Sequence, residues 1–195
     1  MIYFIRHGHK AQGDNYNEAL HIADDPLSEE GMKDAERIAA YFSAIDIKKI
    51  YASEYIRTQQ TAAPVAHEKG LPVIVDARVN EMNGGIFHRM GDAAAQAAYP
   101  ELWREILEHS HDVRYPDGEN GAEVIARQNS FLAEMEKETG DVLVVSHDGF
   151  IRLLLCNISG LPVWMRYKFI TTMGGISAVE YDGREWRILR FNQIV

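Results

Sequence analysis

The chain has 195 residues, is 46% hydrophobic and carries a formal net charge of −9 with histidine neutral. That length and apolar content suit one compact domain with a sizeable core. The acidic balance argues against non-specific binding to nucleic acid or an anionic membrane, yet leaves room for a local cationic pocket that holds a small anion.

In chain order, Ile2–Ile5 is an apolar run that reads as a buried strand and stops at Arg6-His7-Gly8. The run is too short for a signal peptide, and no stretch is long enough to span a membrane, so a cytoplasmic setting is the expectation. "DDPLSEEGMKDAERIAAYFSA" reads as a turn and then a helix. Ser28 is its expected N-cap, Glu29 and Glu30 suit the positive end of the dipole, and Met32, Ala35, Ile38, Ala39 and Phe42 form one stripe. "KKIYAS" is a second strand, and "EYIRTQQTAAPVAHEKG" a helix ending near Gly70, with Pro64 expected to kink or break it. "LPVIVD" is a third strand.

From Asn80 to Gly121 the pattern is less regular, with short helices expected at Asp92–Ala98 and Glu101–His109. "GAEVIARQNSFLAEMEKETG" is an amphipathic helix expected to close at Gly140. "DVLVVS" is a buried strand and "GFIRLLLCNISG" a helix. The single cysteine, Cys156, lies in that apolar helix and reads as a small buried side chain. "GISAVEYDGREWRILRF" gives two strands joined by a tight turn at Asp182-Gly183.

Strands separated by helices imply an α/β three-layer sandwich: a mostly parallel central sheet, an antiparallel edge strand and helices on both faces. One domain over 1–195 is expected, with a covering segment at about 80–120.

In such sheets ligands bind beyond the carboxyl ends of the strands. Arg6-His7-Gly8, Ser53 with Arg57, and Ser146-His147-Asp148-Gly149 all fall there. Arginine forks match phosphate oxygens, and helix N-termini after Ser53 and His147 would add backbone N–H donors. An imidazole among cations stays neutral, and so stays nucleophilic. Gly8 would let a phosphate approach the backbone. No Asp/Glu cluster has metal-ligand spacing, so no metal and no cofactor are expected.

These segments together resemble the histidine phosphatase superfamily, also called phosphoglycerate mutase-like. "FIRHG", "ASEYIRTQQTA", "NEMNGGIF", "YPDGENGAEVIAR" and "VVSHDGFIR" are similar, in order and approximate spacing, to the family's segments over nearly the whole chain. The resemblance implies His7 as a nucleophile that becomes a phosphohistidine. It implies Arg6, Arg57 and His147 as holders of the phosphoryl oxygens. Glu81 is implied as the acid and then the base, with Glu119 a second candidate for that carboxylate.

The sequence departs from the family at His9-Lys10, where Glu-Thr or Glu-Ser is common. It departs again at Gly85-Ile86-Phe87-His88-Arg89, where Gly-x-Trp-Glu-Gly is common. Lys10 and Arg89, with His9 and His88, are therefore expected near the substrate, recognising a second anionic group. The implied activity is a metal-independent phosphatase acting on a small phosphorylated metabolite. The alternatives are a cofactor-dependent phosphoglycerate mutase, a phosphohistidine-protein phosphatase and a non-catalytic phospholigand binder. The end of the chain at "FNQIV", soon after the last strand, favours hydrolysis over the mutase.

Overall fold

The structure is a computed structural model that describes residues 1–195 except 14, 19 and 21. Its central six-stranded sheet is built from β1 (Ile2–Arg6), β4 (Ile47–Ala52), β5 (Val73–Val75), β6 (Asp141–Ser146), β7 (Ile176–Tyr181) and β8 (Trp186–Gln193). They lie in the order β5-β4-β6-β1-β7-β8. β5, β4, β6 and β1 pair in parallel, whereas β7 runs antiparallel to both β1 and β8. The antiparallel element expected at one edge is thus this β7–β8 hairpin. A two-stranded ribbon of β2 (Tyr16–Asn17) and β3 (Ile22–Ala23) stands apart, and sequence pattern gave no sign of it.

Alternation along the strands sorts the core into two clusters. Tyr3, Ile5, Ile50, Leu143 and Val145 face α1 (Glu29–Phe42) and α2 (Ile56–Lys69) through Ile38, Phe42, Ala62 and Val65. Ile2, Phe4, Val142 and Val144 face α6 (Gly121–Met135) and α7 (Asp148–Ser159) through Phe131, Leu132, Phe150 and Leu154. Helices therefore cover both faces, as expected. No helix among the described residues is long and apolar enough to cross a membrane.

Several local expectations change. Met32 is exposed, and the buried stripe of α1 runs through Gly31, Asp34, Ala35, Ile38, Ala39 and Phe42 instead. Asp34 is buried because His9 donates to it from both its backbone N–H and its ring. Pro64 lies inside α2 without ending it. α6 stops at Met135, before Gly140; that glycine lets Lys48 pass, since a Cβ there would collide with Lys48 Cγ. The last hairpin has a four-residue connection, Asp182–Glu185, in which the Asp182 carboxylate accepts from the backbone of Arg184 and Glu185. The 80–120 segment holds α3 (Ile86–Met90), α4 (Asp92–Ala98) and α5 (Pro100–Glu108). α3 was not expected, and α5 begins at Pro100, which suits a first-turn proline.

Candidate active site

β4, β6 and β1 are neighbours and all parallel, so their carboxyl ends open on one edge. His7 follows β1, Arg57 lies in the first turn of α2 just after β4, and His147 is the N-cap of α7 just after β6. All three side chains are buried.

The ring of His7 is held at both nitrogens. Nδ1 lies 2.8 Å from the carbonyl of Gly8, which can only accept, so Nδ1 carries the proton. Nε2 therefore presents its lone pair, and Arg57 Nε donates to it at 3.2 Å. Burial first, then the charge of Arg57, with Arg6 and Lys10 adding less, pushes the His7 pKa down to about 3. Neutral imidazole is the ground state at any physiological pH.

His147 is fixed similarly. Arg57 donates through a terminal nitrogen to His147 Nδ1 at 3.4 Å, which leaves the proton on Nε2, 2.8 Å from Ser53 Oγ. Ser53 in turn contacts Thr58 Oγ1 at 2.8 Å. Burial, then Arg57 and His7, hold His147 well below the usual histidine range. The two imidazoles meet edge to face with centroids 5.2 Å apart. Arg57 also lies over the Tyr55 ring.

Arg6 donates to the carbonyl of Thr171 at 2.7 Å and stands 3.5 Å from Asp148. Its buried Nε has no partner among the described residues, a donor at the edge of the cluster.

Glu81 comes from the loop after the short turn Ala77–Val79. Its carboxylate accepts from the backbone of Met82 at 2.8 Å, Phe150 at 3.0 Å and Gly149 at 3.2 Å. The last two are the third and second amides of α7, so the helix N-terminus holds Glu81. Those amides, expected to serve a phosphate, are engaged by the acid instead. The first amide of α2, at Ile56, goes to Asp24. Gly149 makes the contact possible: a Cβ there would lie 2.7 Å from Glu81 Oε1. Glu119, the second candidate acid, is committed elsewhere. It grips Arg127 with both oxygens at 2.9 and 3.2 Å, and Arg127 holds the backbone carbonyl of Glu81. Glu119 thus braces the loop that presents Glu81.

Of the other expected residues, Gly8 spends its amide on Thr61 Oγ1, and its missing side chain admits α1, with the Gly31 carbonyl 2.8 Å from where a Cβ would be. Lys10 is near enough to disfavour charge on His7, yet its Nζ is engaged by Asp25 at 3.0 Å. Arg89 is exposed and faces Asp117 at 4.0 Å. His9 is bound to Asp34 at 2.6 Å. The structure brings none of these three side chains into the cluster. His88 lines one cavity together with Glu81, and burial first, then Arg57 and Lys10, lower its pKa against the opposing charge of Glu81.

Beside Glu81 opens a cavity of about 310 Å³. Its walls include Phe87, Trp103, Tyr115 and Tyr167, with Arg152 and Arg166 among its polar groups. Sequence reasoning missed these. Arg152 closes the "VVSHDGFIR" segment without having been singled out, Arg166 lies in no motif, and only the fold brings "RLLL" and "WMRYK" against the 80–120 segment. No group of three or more His, Cys, Asp or Glu side chains among the described residues is placed to hold a metal ion.

An α/β sheet whose adjacent strand ends present a neutral, clamped histidine among arginines defines an anion-handling class of site. The pattern that describes the histidine phosphatase superfamily (branch 1) matches residues 2–194, and the chain belongs to that family. It is 32% identical over 173 residues to phosphoserine phosphatase 1 of Hydrogenobacter thermophilus, covering 88% of this chain and 82% of that protein. It is 30% identical over 189 residues to "Probable phosphoglycerate mutase GpmB" of Enterobacter sp. (strain 638), covering 95% and 87%. Its fold matches the crystal structure of the alpha-ribazole phosphatase from Shigella flexneri with a TM-score of 0.84, 22% identity and 98% and 96% coverage.

Proposed function

We propose that this protein is a metal-independent phosphomonoesterase working through a phosphohistidine at His7. The observation that carries the reading is the tautomer lock on that ring. Gly8 takes the Nδ1 proton, and the Nε2 lone pair faces Arg57. In the first step Nε2 attacks phosphorus and the bond to the leaving oxygen breaks, while Glu81 gives that oxygen a proton. In the second, water attacks the phosphohistidine, Glu81 takes the proton, and His7 is restored as phosphate leaves. Arg6, Arg57 and His147 engage the phosphoryl oxygens. His147 is neutral at rest, so fixed positive charge comes from the two arginines, which suits a loose phosphoryl transition state. The buried, unpartnered Cys156 fits a reducing cytoplasmic setting.

The mutase reading has one specific support, the similarity to a protein named as a phosphoglycerate mutase. The two readings differ in whether water or a substrate hydroxyl receives the phosphoryl group. Hydrolysis of phenyl phosphate in EDTA by the wild type, and its loss in His7→Ala, is the expected result. Equal turnover by both proteins overturns the nucleophile. Phosphoryl transfer to phosphoglycerate in preference to water moves the activity to the mutase.

A further inference from the structure

Arg166 is 6% exposed, yet it lines the cavity beside Glu81. It sits in the single 3-10 turn Val163–Lys168 that follows α7. Its guanidinium donates to the Tyr167 hydroxyl at 2.9 Å and to the carbonyl of Val163 at 3.4 Å. Among the described residues no carboxylate lies within ion-pairing distance of it. A buried guanidinium needs a compensating negative charge, and neutral hydrogen bonds replace only part of its hydration.

The other charges around the cavity are accounted for. Arg152 stands 2.9 Å from Asp148, which also faces Arg6 and accepts from Thr171. Glu81 is held by backbone amides. His88 accepts the Gly84 N–H through Nδ1 at 3.4 Å, and its pKa is lowered. Asp92 lines the mouth and is exposed. Arg166 is the cavity's one cation without an acidic partner among the described residues. The surrounding surface is aromatic, with Phe87 packed against Tyr99, Trp103 and Tyr115. Tyr167 is fastened to the covering segment by stacking on His109, with centroids 3.6 Å apart.

We propose that this cavity takes the leaving group of the substrate, and that Arg166 binds a carboxylate on it while the aromatic wall covers its carbon body. The inference rests on the phosphatase reading, because Glu81 then marks the leaving-group side. It also relocates the anion recognition expected of Lys10 and Arg89, whose side chains face Asp25 and Asp117.

The test compares phenyl phosphate with para-carboxyphenyl phosphate in the wild type, Arg166→Gln and Arg166→Lys. The readout is the ratio of kcat/KM for the two esters, so a general loss of activity cancels. The wild type should prefer the carboxylated ester. Arg166→Gln should cut that ratio by at least about tenfold, as for loss of a charge-assisted hydrogen bond. Arg166→Lys, which retains the charge, should recover part of it. No preference in the wild type, or a ratio unmoved by Arg166→Gln, overturns the proposal. If the wild type hydrolyses neither ester, the phosphatase reading fails and ligand binding decides the inference separately. Benzoate should then change Trp103 fluorescence more strongly than benzamide does, and Arg166→Gln should abolish that difference. Equal responses to the two probes in the wild type overturn it.

Discussion

Arg57 Nε donates to His7 Nε2 at 3.2 Å, on the ring nitrogen opposite the one that donates to Gly8. The same guanidinium holds His147. One arginine therefore orients both imidazoles and adds to the burial that keeps them uncharged, which ties the chemistry of the site to its acid stability. His7 has a native pKa of about 3, against an ordinary 6.5. Below pH 6.5 the unfolded chain takes up a proton that the native chain refuses. Stability contributed by the neutral ring is therefore complete above that pH and declines as the pH falls toward about 3. The slope is at most about 1.4 kcal/mol per pH unit for each such histidine. His147 acts in the same direction. Urea unfolding at a series of pH values should show a steeper acid decline for the wild type than for His7→Asn. Parallel curves would show that His7 titrates normally.

The same lock bears on catalysis. A nucleophile that stays neutral to low pH sets no acid limb near 6.5 in kcat/KM. The His7 ring should keep neutral-imidazole NMR shifts down to about pH 4. A His7 titration centred near 6.5 would contradict the geometry.

Glu81 depends on Gly149. A methyl group at that position would lie 2.7 Å from Oε1 and drive the carboxylate off the α7 amides. Gly149→Ala should lower kcat by about a hundredfold or more, the scale of a lost acid–base group. It should leave the fold intact, because Gly149 has no positive φ. The loss should be smaller for esters whose leaving group needs no proton, such as para-nitrophenyl phosphate. An equal loss on both esters would place the defect elsewhere.

Ser53 offers a third test. It is fully buried and receives the Nε2 proton of His147. Ser53→Ala leaves that N–H without this partner and should cost about 1–3 kcal/mol. Calorimetric melting measures it. A cost below about 0.5 kcal/mol would mean that another acceptor takes the proton.

How the site could be seen in the sequence depended on where each residue stands relative to a strand. His7, Arg57 and His147 each follow an apolar run within a few residues, and three parallel neighbours in one sheet necessarily bring such positions together. Asn120 went unread, although an asparagine followed three residues later by glutamate is a capping-box pattern, and it caps α6 through a reciprocal bond with Glu123. Arg166 was illegible because it stands out by lacking a carboxylate partner among the described residues, which only a tertiary structure can express. The carboxylates facing Lys10 and Arg89 were illegible for the converse reason. A basic residue beside a signature motif looks free until its partner, fifteen or more residues away, is placed against it. Pro64 shows the same limit, since local preference against proline in a helix yields to the packing of Ala62, Val65 and Ala66 on the sheet.

Lys10 and Arg89 give a final, separating prediction. Asp25 is 3% exposed and accepts from both Lys10 and Asn15. Burial works against its charge, and the bonds from Lys10 and Asn15 outweigh it, holding the carboxyl below the usual range. Lys10→Ala removes the charged half of that support. It should destabilise the protein by about 1 kcal/mol, a figure kept small because solvent reaches the lysine. Arg89→Ala, with both partners of its contact exposed, should change stability by less than about 0.5 kcal/mol. Neither variant should alter the preference between mono- and bis-phosphorylated substrates. A selectivity change of about tenfold in either would return that side chain to the substrate, with the pairing to Asp25 or Asp117 giving way when the ligand binds.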